Sequence, residues 1–276
     1  MTSGKILSSI VISLCIFTAS AITASASANE SLPCETQTDA CSFVFLNASG
    51  ELFKHNPKRA DTRYRPFSTF KIPNSMIALD TGVVNDLSQT FSANTNMYPP
   101  ESWWPSSWTS KAHTLRSAYQ VSAVPLYREF ATQIGEQRMV KYLADFDYGN
   151  QNISSGLDNF WLEESIKISA TEQVSFLRKL YHQELPLKNE TYALLKPLTE
   201  HQTHPTHVIY AKTGTGTLSN TLAEGWFVGA IEDNGQWHIF AAHASEGSFR
   251  DVVKKRMIIA EKYLSHYGYT LHHKYQ

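Results

Sequence analysis

The sequence predicts an α+β fold: an antiparallel sheet flanked by terminal helices, with a helical subdomain inserted over roughly residues 74–200. Three observations predict it. A hairpin pattern lies near the start of the chain, helical periodicities fill the middle, and three β-rich segments with a final helix close it.

The elements follow in order. Lys5 precedes an apolar stretch ending in Ala24-Ser25-Ala26-Ser27-Ala28, the layout of a secretory signal peptide over residues 1–28. The serines and threonines within that stretch argue against a membrane anchor. Cys15 follows Ile12-Ser13-Leu14 with no small neighbour, so it is not expected to carry lipid. Residues 29–276 then form a single domain. Residues 42–47, SFVFLN, then Ala48-Ser49-Gly50 and ELFKH, read as the hairpin. Past Ser68, Ile72, Met76 and Leu79 recur at helical spacing, and Gly82 is a natural stop. Residues 83 to about 115 are rich in Pro, Ser and Trp and read as irregular. VPLYREFATQIG and EQRMVKYLADF resume the helical pattern. Ser169-Ala170-Thr171-Glu172 is a capping box opening a helix that carries Val174, Leu177 and Leu180. HVIYAK, GWFVGAIE and QWHIFAAHAS are strands, with Asp233-Asn234-Gly235 as a tight hairpin between the last two. FRDVVKKRMIIAEKYLSHYG is the closing helix.

Composition narrows the function. The 24 Lys and Arg balance 25 Asp and Glu, which points to no nucleic-acid or anionic-membrane partner. After residue 28 no apolar run approaches the ~20 residues that span a bilayer. Cys34 and Cys41 either pair in an oxidising compartment or remain two thiols. Pairing requires CETQTDAC to fold back until the Cα atoms lie within about 7 Å.

The stretch Arg65-Pro66-Phe67-Ser68-Thr69-Phe70-Lys71-Ile72-Pro73 sets a lysine among aromatic and apolar neighbours. On a helix Ser68 and Lys71 face the same side. A serine is a poor nucleophile without a base beside it, and lysine becomes a base only when desolvation lowers its pKa. Phe67, Phe70 and Ile72 supply that dryness. A lone S-x-x-K is weak, because a helix cap followed by a solvated lysine gives the same letters. Two further elements make the set specific. Ser122-Ala123-Val124 offers a second hydroxyl before a helical run. Lys212-Thr213-Gly214 ends the HVIYAK strand with a cation, a hydroxyl and a residue small enough for a ligand to approach. In this order the three motifs form the set of penicillin-binding serine enzymes.

Across nearly the whole of residues 29–276 the chain resembles the class D serine β-lactamases. The resemblance rests on PFSTFK, Ser122-Ala123-Val124, Tyr148-Gly149-Asn150, Trp161 in NFWLEESIKIS, and KTGTG at 212–216. It implies a β-lactamase/transpeptidase-like fold and a secreted or periplasmic hydrolase of β-lactams. It implies Ser68 as the acylated nucleophile and Lys71 as a base carbamylated by carbon dioxide. Ser122 would relay a proton to the departing nitrogen with Lys212 beside it, and the N–H groups of Ser68 and Thr215 would form the oxyanion hole. Val124 would give the carbamate apolar cover and Trp161 an N–H donor. Thr213, Gly214 and Thr215 would bind substrate. Relatives hold the substrate carboxylate with an arginine near the last strand, and Arg250 is the candidate here. No metal or other cofactor is implied, and the protein is expected as a monomer or homodimer.

Other features have plainer readings. Trp103, Trp104 and Trp108 are core or rim packing, or line the substrate entrance. His201, His204 and His207 look metal-like, but Pro205 breaks any shared helical face. Glu163 and Glu164 read as solvated charges, and Asn47-Ala48-Ser49 as a formal glycosylation signal irrelevant in a bacterium. Two competing functions share these motifs: a penicillin-sensor domain without turnover, and a D,D-peptidase, which usually carries Asn where Val124 stands.

Overall fold

The computed structural model describes residues 1–2 and 31–272, so the signal-peptide reading falls almost wholly outside the described residues. From Leu32 onward the chain is one compact unit.

Strands β1 (Cys41–Leu46) and β2 (Leu52–His55) form the hairpin expected from SFVFLN, Ala48-Ser49-Gly50 and ELFKH. Helix α1 (Pro57–Ala60) follows, opened by the Asn56 side chain and a proline in its first turn. A 3₁₀ turn over Phe67–Phe70 runs directly into α2 (Lys71–Asp80), all ten of whose residues are buried. Gly82, at φ +75°, stops it. The Pro/Ser/Trp stretch is mostly irregular but holds short pieces: β3 (Thr90–Phe91), α3 (Ser107–Ser110) and β4 (His113–Thr114). Helix α4 (Leu115–Val121) is capped by the Thr114 hydroxyl and ends at Ser122 in the left-handed conformation. Gly135 separates α5 (Val124–Ile134) from α6 (Glu136–Phe146). The capping box forms as its letters predict and opens α7 (Ala170–Tyr181). Helix α8 (Asn189–Thr199) leads into β5 (Glu200–Thr203).

Strands β6 (His207–Ser219), β7 (Leu222–Asp233) and β8 (Gln236–Glu246) are consecutive antiparallel neighbours, and α9 (Phe249–His266) closes the fold. Asn234 and Gly235 both take positive φ at the β7–β8 turn, the pattern of a two-residue hairpin. The six strands run in the order β2-β1-β8-β7-β6-β5, so the hairpin from the start of the chain seals against the last strand.

Apolar residues cover both sheet faces. On one side α9 lays Val252, Ile259, Ala260, Tyr263 and Leu264 over Phe43, Phe45, Phe227 and Phe240. Phe43 stacks on Tyr263 at 4.5 Å between ring centres. The larger cluster, on the other side, gathers α2, α5, α7 and the Trp104/Trp108 pair. Cys34 and Cys41 form a disulfide, with Cα atoms 5.2 Å apart, tying the start of the described chain to β1. Among the described residues no helix is long and apolar enough to cross a membrane.

Strand β6 is longer than HVIYAK suggests. Its pairing with β7 continues through Gly216, which puts Lys212-Thr213-Gly214 in mid-strand. The glycines permit this. A Cβ on Gly214 would sit 2.8 Å from the Pro66 carbonyl oxygen, and one on Gly216 would overlap the Phe67 ring. The strand therefore passes directly against the segment that carries Ser68.

Candidate active site

Ser68 sits in the 3₁₀ turn and Lys71 begins α2, so the three-residue spacing brings Lys71 Nζ within 3.0 Å of Ser68 Oγ. Lys71 is fully buried and Ser68 half-buried. The Tyr127 ring centre lies 5.0 Å from Lys71 Nζ. Burial, and secondarily the charge of Lys212, hold Lys71 well below the usual lysine range. Immediately before the serine, Phe67 adopts φ +47°, a left-handed backbone that a bulky residue rarely takes. Its N–H donates to the Trp161 carbonyl at 3.1 Å, which helps fix the turn and with it Ser68.

Ser122 ends α4 at φ 58°, where its own N–H closes on the Tyr119 carbonyl. That conformation turns the hydroxyl to Lys212, whose Nζ donates to Ser122 Oγ at 2.7 Å and to the Thr213 carbonyl at 3.2 Å. Burial first, and the Arg256 charge second, bring Lys212 down to about 7. Trp108 supports this corner by donating its indole N–H to the Val121 carbonyl at 2.9 Å. Trp104 and Trp108 are buried packing, whereas Trp103 is 56% exposed and stands edge-on to both.

Val124 is buried at the start of α5, the helix that packs on α2. Trp161 is fully buried and stacks on Phe70 at 5.4 Å, and its Nε1–H finds no acceptor among the described residues. An unpartnered N–H in such a place is costly and calls for an acceptor that the side chains do not supply. Asn150 pins the loop that carries Trp161. Its Nδ2 donates to the Ser165 carbonyl at 2.7 Å, and its Oδ1 accepts from the Lys167 N–H at 2.8 Å.

The two arginines of α9 stand differently toward the KTGTG strand. Arg250 is exposed on the first turn of α9, and it is Arg256 that reaches the KTGTG strand. Six residues on an α-helix amount to about 240° of rotation beyond a full turn, so the two arginines point in different directions. Arg256 lies one turn after Val252, on the face that α9 presses against the sheet. Its Nη1 donates to the Gly214 carbonyl at 2.7 Å and to the Thr215 hydroxyl. Gly225 makes room for it: a Cβ there would sit 3.2 Å from Arg256 Cδ. Burial lowers Arg256 to about 10, which leaves it cationic at neutral pH. A charged residue on the apolar stripe Val252, Ile259, Tyr263 was the sequence signal that could have found it.

Ser68–Lys71 and Ser122–Lys212 thus form two hydrogen-bonded pairs, near enough for the Lys212 charge to act on Lys71, with Thr213, Gly214 and Thr215 along the strand that carries Lys212 and Arg256 bonded to it. His201 lies apart from His204 and His207: it packs edge-on to Phe227, while the other two stack on each other at 4.7 Å.

A serine with a buried lysine one turn away, a second serine on a second lysine, and a glycine-bearing strand edge define a penicillin-recognising serine enzyme. The family description "penicillin binding protein transpeptidase domain" matches residues 20–263. β-Lactamase OXA-48 of Klebsiella pneumoniae is 43% identical over 216 residues, spanning 76% of this chain and 78% of that protein. β-Lactamase OXA-10 of Pseudomonas aeruginosa is 37% identical over 243 residues, 86% of this chain and 88% of that protein. The solved class D β-lactamase FUS-1 (OXA-85) of Fusobacterium nucleatum superposes with a TM-score of 0.75 at 34% identity, covering 83% of this chain and 92% of that one. The chain belongs to the class D β-lactamases and is a hydrolase of that class.

Proposed function

We propose that the enzyme opens the lactam ring of penicillin-type antibiotics through an ester on Ser68, with Lys71 held as a carbamate. The observation that carries this reading is Lys71 Nζ, wholly buried and 3.0 Å from Ser68 Oγ. Ser68 Oγ attacks the lactam carbonyl carbon and gives up its proton toward Lys71, its hydrogen-bonded neighbour. The N–H groups of Ser68 and Thr215 receive the carbonyl oxygen as it becomes anionic. As the carbon–nitrogen bond breaks, Ser122 Oγ protonates the departing nitrogen and Lys212 Nζ, 2.7 Å away, restores that proton. Arg256, the Thr213 and Thr215 hydroxyls and Lys212 gather the substrate carboxylate. Water then cleaves the ester and frees Ser68.

The residues around Lys71 fit a carbamate. Only a neutral amine adds carbon dioxide, and burial keeps Lys71 neutral more readily than water would. The unpartnered Trp161 Nε1–H offers a donor, and Val124 and Phe70 an apolar wall. When formed, the carbamate supplies an anionic oxygen as general base. Secretion is part of the same proposal, supported by the Lys5-to-Ala28 leader pattern and by a disulfide suited to an oxidising compartment.

The test is steady-state hydrolysis of benzylpenicillin by enzyme stripped of carbon dioxide, with and without added bicarbonate. Bicarbonate should restore the rate. Full activity without it contradicts the carbamate, and no hydrolysis under either condition contradicts the substrate class.

A further inference from the structure

Beside the catalytic groups lies a cavity of about 200 Å³, lined by Tyr119, Gln120, Glu200, His201, Ala211, Lys212 and Thr213. Lys212 and Thr213 line both spaces, so the cavity adjoins the place where the substrate carboxylate is expected. Strand topology creates it. β5 pairs with β6 only as far as Glu200 opposite Tyr210, so the β6 edge from Ala211 onward has no neighbouring strand on that side. Tyr119 closes the far wall and donates its hydroxyl to the Ala211 carbonyl at 3.3 Å.

The charges in this cavity are divided. Lys212 is engaged with Ser122 and the Thr213 carbonyl, deep and largely desolvated. Glu200, also in the lining, is exposed. Its Oε1 accepts only a hydroxyl, from Thr203 at 3.1 Å, and among the described residues it joins no ion pair. The space suits one ring-sized substituent rather than a whole drug.

We propose that this cavity is a subsite for a positively charged substituent attached next to the substrate carboxylate, with Glu200 as its counter-charge and Gln120 and His201 as flanking walls. The proposal rests on the β-lactam reading above. It selects within that class, favouring cephalosporins with a cationic group at ring carbon 3 over those with a neutral one. The carboxylate anchors on Arg256 and Lys212, and the neighbouring carbon then directs its substituent toward Glu200.

Cephaloridine and cephalothin share one acyl side chain and differ at that carbon, a pyridinium in the first and a neutral acetoxy group in the second. Their kcat/KM ratio therefore isolates the subsite. In Glu200→Gln the cephaloridine-to-cephalothin ratio should fall about two- to fivefold, the range of an exposed ion pair. Most of the fall should appear in KM, and it should shrink as salt is raised. Glu200→Lys should lower the ratio further. An unchanged ratio in both variants, with benzylpenicillin still hydrolysed, overturns the subsite alone. Failure of the unaltered enzyme to hydrolyse any of the three overturns the β-lactam reading and the subsite with it.

Discussion

Lys212 and Ser122, 90 residues apart in sequence, meet through a 2.7 Å hydrogen bond from Nζ to Oγ at the edge of the active site. If this contact passes a proton to the departing nitrogen, Lys212→Ala should lower kcat/KM for benzylpenicillin about ten- to a hundredfold. That range corresponds to one charge-assisted hydrogen bond, about 1.5–3 kcal/mol. Unchanged kcat/KM removes Lys212 from the site.

The same lysine sets a pH dependence of stability. Burial lowers Lys212 from 10.5 to about 7, so between those values the unfolded chain holds a proton that the folded chain has lost. Stability therefore rises with pH across that window. Relative to Lys212→Met, the unaltered enzyme should gain stability from pH 7 to pH 9, by at most ~1.4 kcal/mol per unit. Denaturant unfolding at several pH values measures this. A flat or falling difference contradicts a depressed Lys212.

Arg256, rather than Arg250, should govern substrate carboxylate binding. Arg256→Ala should reduce kcat/KM about tenfold or more, mainly through KM, while Arg250→Ala should stay within about twofold. Steady-state kinetics on both variants decides between them. The opposite ranking would return the role to Arg250.

These two arginines show where the sequence was readable. The apolar run SFVFLN followed by the turn residues Ala48-Ser49-Gly50 made the β1–β2 hairpin legible, and Ser169 with Glu172 marked the start of α7 to the residue. The S-x-x-K spacing placed Ser68 against Lys71 because three residues make nearly one turn in either helix type. Helix α8 was hidden by Pro197 in its interior and by Lys188, which gives no side-chain cap. The short α4 was hidden because it ends at a left-handed Ser122, where sequence offers no glycine as a marker. The contact of Arg256 with the KTGTG strand depends on the face of the helix on which it falls, which nearness to the strand in sequence does not reveal. The Glu200 cavity depends on where β5 stops pairing, and no local pattern announces that.

Trp161 is expected to hold its unpartnered N–H for the carbamate. Carbon-13 NMR with labelled bicarbonate should give a carbamate signal in the enzyme, lost in Lys71→Ala and much reduced in Trp161→Ala. Deacylation should slow more than acylation in Trp161→Ala, because the ester-cleaving water has no other evident base, so that acyl-enzyme accumulates. A fully active enzyme without the signal at neutral pH contradicts this role.

The central claim is that Ser68 carries the acyl group. Intact-mass spectrometry followed by peptide mapping, on enzyme quenched during benzylpenicillin turnover, addresses it directly. The mass should rise by one penicillin, the increment should map to the peptide containing Ser68, and Ser68→Ala should show neither adduct nor turnover. An adduct that survives in Ser68→Ala, or that maps to another residue, would contradict the account.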